Sequence, residues 1–305
     1  YIDNKAENTV VIGAHYDHLG WGESGGSMHT GEPEIHNGAD DNASGVAMML
    51  DLAKWVKENE LSGNNYMFIA FSGEELGLWG STYFMQHPTI ADANINYMIN
   101  LDMVGRLNEE KTLAVNGIGT SPAWKKNLKK ANKDKLKYVF SESGIGPSDH
   151  TQFYLKDIPV LHFFTGQHDD YHRPSDDVEK VNFNGMVSIS SLIKRLVARL
   201  DDDGKLKFDK TKDEDSNKAP AFSVTLGVVP DYLFDGKGMR ISGVKEDRPA
   251  IKAGMKEGDI VVKMGSVVVD DMMSYMKGLA EFEKGDKADV TFLRDGKKME
   301  VKVVF

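Results

Sequence analysis

Three observations predict an α/β architecture: a mostly parallel twisted sheet flanked by helices, followed by a small β-rich domain. Short apolar, partly β-branched runs alternate with helical patterns through the first two hundred residues. A charged stretch, "DDDGKLKFDKTKDEDSNKAP" at 201–220, then breaks the pattern. Beyond it the chain turns to closely spaced strand-like segments with glycine turns.

The strands are expected at "TVVIGA" (9–14), "YMFIAF" (66–71), "YMINL" (97–101), "TLAVNG" (112–117) and "PVLHFF" (159–164), each apolar enough to be buried on both faces. Between them "NASGVAMMLDLAKWVKENE", "SPAWKKNLKKANKD" and "FNGMVSISSLIKRLVARL" place apolar residues at helical spacing with polar residues opposite. The stripe in "MMLDLAKWV" reads as core packing. The boundaries predicted are 1–200 for the first domain, 201–218 for a linker and 219–305 for the second domain. "RDGK" near the end supplies an Asp-Gly hairpin turn between alternating strands.

Composition narrows the function. The 305 residues carry a net charge of −10, which disfavours nucleic acid and anionic membranes as partners, since both select a basic face. The chain contains no cysteine, so disulfides, thiolate metal sites and cysteine nucleophiles are excluded. Its longest apolar runs fall far short of the ~20 residues needed to span a bilayer. It begins "YIDNKAENTVVIGAHYDH" without an initiator methionine, and is read as a mature or truncated fragment.

The chemistry-bearing residues fall where strands end. "HYD" (15–17) follows the first strand, "SGEE" (72–75) the second, "LDM" (101–103) ends the third, and "HDDYH" (168–172) trails the fifth. Ligands in open α/β sheets bind at the carboxyl ends of strands, so these segments converge. Asp40, in "GADDNASG" at a helix start, adds a fifth donor; an N-cap role for this segment is the simpler alternative. Two imidazoles and three carboxylates suit zinc, cobalt or manganese. Five ligands exceed one four-coordinate catalytic zinc and suit two ions sharing a carboxylate, ~3.5–4 Å apart with a bridging hydroxide. In the Glu-Glu pair, one carboxylate can bind metal while its neighbour serves as general base.

"GAHYDH", "NGADDNASG", "SGEELGLWGS", "NLDMVG", "SDHTQF" and "YHRPSDD", in this order over residues 9 to about 199, resemble the di-zinc aminopeptidase family, whose relatives include glutaminyl cyclase. The resemblance implies His15 and Asp102 on one zinc, Glu75 and His172 on the other, Asp40 bridging and Glu74 as general base. It implies that Asp17 and Asp176 accept hydrogen bonds from His15 and His172, and that Asp149 positions substrate. A cis peptide between Asp40 and Asp41 is implied as well. No ligand role falls to His18, His36, His150, His162 or His168. Family domains carry a helix and strand before "GAHYD"; "YIDN" is read as the tail of that strand, and the rest as missing. The family also implies a periplasmic or extracellular location.

"TLGVVPDY" and "PAIKAGMKEGDIVVKMG" resemble a PDZ domain of the bacterial protease-associated type. That resemblance implies a carboxylate-binding loop at Leu226, Gly227 and Val228, taking peptide C-termini; packing or dimerisation is the alternative use. The leading function is therefore removal of N-terminal residues from peptides. Glutaminyl cyclisation and a PDZ adaptor with a relic hydrolase domain are the alternatives.

Overall fold

Residues apolar on both faces fold as the central strands. In the computed structural model, which describes residues 1–23, 26–211, 224–231, 234, 236–244 and 248–305, every residue of β1 (Thr9–His15) and β3 (Ile95–Leu101) is buried. The chain divides into two units, Tyr1–Glu214 and Asp215–Phe305.

The first unit holds β1, α1 (Gly45–Glu58), β2 (Asn65–Phe71), α2 (Trp79–Gln86), β3, β4 (Thr112–Asn116), α3 (Trp124–Ala131), β5 (Lys137–Ser141), α4 (His150–Tyr154), β6 (Val160–Phe164) and α5 (Phe183–Leu200). The sheet order is β2-β1-β3-β6-β4-β5. Strands β2, β1, β3 and β6 run parallel, so their C-terminal ends share one edge. β4 pairs antiparallel with β6. Ile2 forms an isolated antiparallel bridge to Tyr66 on β2.

Helix α5 shows why the helical pattern was legible. Asn182 caps it by accepting from the Gly185 N–H, and Ile189, Leu192, Ile193, Leu196, Val197 and Leu200 bury one face in the first core, beside α3 and α1. Each such side chain contributes roughly 1.5–3 kcal/mol.

One boundary differs from expectation. Residues 201–211 are not a free linker: Asp201 Oδ2 accepts from the Ser62 and Gly63 N–H groups, and Leu206 enters the first core. Residues 212–218 of the expected linker lie outside the described residues. The strand β5, with an exposed or half-buried "KYVFS", was also unanticipated, as were α2 and α4.

The second unit holds β7 (Val228–Pro230), β8 (Met239–Val244), α6 (Pro249–Lys252), β9 (Ile260–Met264), β10 (Val267–Val268), α7 (Met272–Ala280), β11 (Lys287–Arg294) and β12 (Lys297–Val304). Its strands pair antiparallel in the order β12-β11-β9-β8-β7, with β10 beside β9. Asp295 and Gly296 both take positive φ in the β11–β12 turn, as an Asp-Gly hairpin requires. Among the described residues, no helix is long and apolar enough to cross a membrane.

Candidate metal centre

Four parallel strands deliver their ends to one edge, and there the polar side chains meet. His15 closes β1, Asp102 follows β3, Glu74 and Glu75 follow β2, and His172 lies in the loop after β6. The aspartate of the helix-start turn that joins them is Asp41, not Asp40. His15 Nε2 stands 3.2 Å from Asp41 Oδ1 and 3.3 Å from Asp102 Oδ1. His172 Nε2 stands 3.3 Å from Asp41 Oδ2 and 3.1 Å from Glu75 Oε2. Asp41 thus presents one oxygen to each of two imidazole–carboxylate sets.

Asp40 is turned elsewhere. Its Oδ1 accepts from Ser44 Oγ (2.8 Å) and the Gly105 N–H (2.6 Å), and its Oδ2 lies 3.1 Å from His168 Nε2. The cis peptide bond lies between Asp41 and Asn42, one residue beyond the expected position. Asn42 ties this turn to β3: its amide donates to Leu101 O, and its Oδ1 accepts from the Gly45 and Met103 N–H groups. Gly45 is required there, because a Cβ would come within 2.5 Å of Leu101 O.

Neither predicted carboxylate partner holds its histidine as expected. Asp17 uses its carboxylate to accept from the Glu74 and Glu75 N–H groups (3.1 and 3.2 Å), fixing that turn. The nearer neighbour of His15 Nδ1 is the Asp17 carbonyl at 3.1 Å, against 3.8 Å for its carboxylate. His172 Nδ1 lies 2.9 Å from Gly26 O. Asp176 instead accepts from the backbone N–H groups of Asp40 and Asp41 through Oδ2 and from Arg106 Nη2 through Oδ1. It therefore orients the turn that aims Asp41. Two further residues went unanticipated: Arg106, and His18, whose Nδ1 is 2.9 Å from Glu75 Oε1. His36 lies 2.8 Å from Ser27 Oγ, and His150 and His162 stack in the interior with ring centroids 4.5 Å apart.

The electrostatics reflect this packing of opposite charges. Burial opposes protonation of His15, but Asp102 and Asp41 outweigh it and hold its pKa well above the usual value. Burial likewise works against His172, yet Asp41 and Glu75 raise it from 6.5 to about 9. Asp41 and Glu75 fall to about 2 despite burial, through the imidazoles beside them. Glu74 is raised well above the usual value by burial, with the charges of Asp102, Asp149 and Glu75 adding to it. Burial pushes Asp149 up to about 7.

These donors fit divalent zinc. Donor atoms of His15, Asp41 and Asp102 lie within 4.8 Å of one another, as do those of His18, Asp41 and Glu75, and His172 reaches the same Asp41 and Glu75 carboxylates, so each side takes a different oxygen of Asp41. Protons occupy the same places in the metal-free chain. Zinc must displace those on His15 and His172, so its affinity should rise with pH through about 9, where His172 gives up its proton. The effect on folding has the opposite sign. The raised His172 pKa stabilises the metal-free fold fully below 6.5, and this contribution is lost as pH rises through about 9. Zinc–chelator competition across that window checks the first statement, and a pH-independent affinity would contradict it.

Imidazoles and carboxylates are thus gathered at the carboxyl ends of parallel strands, where open α/β sheets bind their ligands. The family model "Peptidase family M28" matches residues 2–197, and the chain belongs to that family. A PDZ domain model matches residues 207–304. Aminopeptidase YwaD of Bacillus subtilis is 29% identical over 201 residues, covering 62% of this chain and 40% of the relative. A protein of Arthroderma benhamiae named "Probable leucine aminopeptidase" is 31% identical over 207 residues, covering 63% of this chain and 54% of the relative. The chain thus spans about half the length of these relatives. Among solved structures, a zinc aminopeptidase from Bacillus subtilis superposes with a TM-score of 0.53 at 25% identity, covering 70% of this chain and 48% of that one. A glutaminyl cyclase of Bacteroides thetaiotaomicron shares the fold, with a TM-score of 0.53 at 19% identity, covering 65% of this chain and 75% of that one.

Proposed function

We propose that this chain is an aminopeptidase that binds two zinc ions and removes N-terminal residues from peptides. The observation that carries the reading is Asp41, whose two oxygens each face a separate imidazole–carboxylate set. His15 and Asp102 would hold one ion and Glu75 and His172 the other. When bound, zinc polarises the scissile carbonyl and acidifies the attacking water. Glu74, beside Glu75 and free of both sets, takes the water proton and returns it to the leaving amine; burial raises its proton affinity above that of an ordinary carboxylate, in the direction a proton carrier needs. Asp17 keeps Glu74 in place through the backbone, and Asp176 with Arg106 does the same for Asp41.

Metal analysis coupled to a panel of amino-acid anilides tests this. The expected result is two zinc ions per chain and release of anilide that is lost on chelation and restored by zinc. One ion per chain with cyclisation of N-terminal glutamine would favour the cyclase reading, and no turnover across the panel would favour the adaptor.

For the second unit, we propose capture of a peptide C-terminus beside β7, which is the last strand of its sheet and so offers an edge for strand addition. Leu226 is buried with its carbonyl accepting from Ala250, and the Gly227 N–H donates to Thr225 Oγ1, so carboxylate capture opens that last bond. Binding of free-acid peptides but not their C-terminal amides is expected in fluorescence anisotropy; equal binding of both would exclude a carboxylate site.

A further inference from the structure

The net charge of −10 conceals a segregated cationic face. Residues 125–137, "KKNLKKANKDKLK", hold seven lysines against one aspartate. Helix α3 turns Trp124, Asn127, Leu128 and Ala131 inward, so its four lysines stand on the outer side, and all seven lysines of the stretch are exposed. Lysine is a good helix former whose stem covers apolar surface, so a solvated face is the simplest use of such a run. That use favours cations spread apart or paired with acids, because like charges repel. At one place the fold does the reverse.

Helix α5 packs against α3 and brings Arg195 and Arg199 to Lys130 and Lys133, and the four cations line one shallow cleft together with Ala198. One carboxylate answers them: Asp134, which pairs with Arg195. Arg195 also donates from Nε to the Ala131 carbonyl (2.6 Å), which fixes its guanidinium at the end of α3. Arg199 donates from Nε to Asn127 Oδ1 at 3.4 Å, a neutral partner that orients the guanidinium and leaves its charge uncompensated. Among the described residues, no acidic group pairs with Lys130, Lys133 or Arg199. Attraction to helix C-termini accounts for Lys130 in the last turn of α3 and Arg199 in that of α5. It does not account for their convergence with Lys133 and Arg195 on one concavity, from segments 64 to 72 residues apart.

Two guanidinium and two ammonium groups around a cleft match the chemistry of a phosphate group. The planar arginine fork pairs bidentately with phosphate oxygens, and lysine adds a compact point charge. Among the described residues, the lining holds no aromatic side chain, so it offers no platform for a nucleobase. The phosphate itself is the feature that these residues recognise.

We propose that the cleft between α3 and α5 binds a phosphate group through Lys130, Lys133, Arg195 and Arg199. None of the four belongs to the candidate metal centre, so the proposal stands apart from the peptidase reading. Free phosphate and the headgroup of an anionic phospholipid carry the same chemistry, and the test separates them.

In the first arm, the arginine Nε–H signals of the zinc-loaded full chain are followed by NMR during titration with inorganic phosphate at constant ionic strength. Saturable shifts of Arg195 and Arg199 are expected, and these report the cleft whatever phosphate does at the metal centre. In the second arm, the chain is sedimented with vesicles of phosphatidylglycerol and phosphatidylcholine, against phosphatidylcholine alone. A response in the first arm assigns free phosphate and a response confined to the second assigns a lipid headgroup; either supports the proposal. Lys133→Ala combined with Arg199→Ala should weaken the observed binding at least about tenfold, as loss of hydrogen bonds to a charged group does. Both side chains are exposed, so their truncation spares the core, and circular dichroism with zinc content checks this. Lys126→Ala combined with Lys129→Ala removes the same charge from the outer side of α3, away from the cleft, and should weaken binding far less. Equal losses in the two pairs would show diffuse surface attraction, and no binding in either arm would show a merely solvated face; each overturns the proposal.

Discussion

An Asp41→Ala chain is expected to retain fewer than two zinc ions after dialysis and to lose turnover, whereas Asp40→Asn keeps both. The two residues are adjacent and both fully or nearly buried, so burial alone does not separate them. Their partners do. Asp41 faces both imidazoles, and its removal takes one oxygen from each set and unites the damage at both positions. Losing even an outer partner of a metal ligand costs 10–100-fold in affinity, and losing a carboxylate shared by two ions should exceed that. In Asp40→Asn, the side-chain oxygen can still accept from Ser44 and the Gly105 N–H, so the turn keeps its shape. Removing Asp41 also strips His172 of one of the two carboxylates that raise its pKa, so that pKa should fall from about 9 in the metal-free variant. Elemental analysis with an NMR titration of His172 checks both parts. Full zinc content in Asp41→Ala together with loss in Asp40→Asn would return the shared position to Asp40.

The reason this assignment eluded the sequence is physical. Periodicity locates strands and helices because burial repeats along the chain, and α1, α5 and the five apolar strands were legible for that reason. Which of two consecutive aspartates in an irregular turn faces inward has no period. It is decided by Asp176, which captures both backbone N–H groups of the pair, and by Gly105, which captures the Asp40 carboxylate, from 65 to 136 residues away. The same holds for Arg106 and His18, which reach the centre only through the fold. Motif order brought the right segments together and selected His15, Glu75, Asp102 and His172 as neighbours of one another. It did not distinguish a histidine's carbonyl partner from a carboxylate one, as at Asp17 and Gly26. β5 was hidden for a different reason: at the edge of the sheet it buries too little to show strand patterning.

Glu74→Gln is the sharpest separation between holding metal and using it. Glu74 belongs to neither imidazole–carboxylate set, and the backbone N–H that orients it, donated to Asp17, survives the substitution. Glutamine matches the side chain in size, so the Glu74–Glu75 turn and the Glu75 contact with His172 should stand. What disappears is the ability to accept a proton and return it. Zinc content should therefore remain near that of the parent while kcat falls by about 10²–10⁴-fold, the range for a positioned general base. KM should change far less, because a group that acts on the proton in flight contributes little to ground-state binding. The pH profile supplies the second criterion. The limb of the kcat profile that reports ionisation of Glu74 should vanish in Glu74→Gln. Turnover at the parental rate with zinc in place would remove Glu74 from the chemistry and leave Asp149, the other buried carboxyl with a raised pKa near Asp102, as the next group to replace.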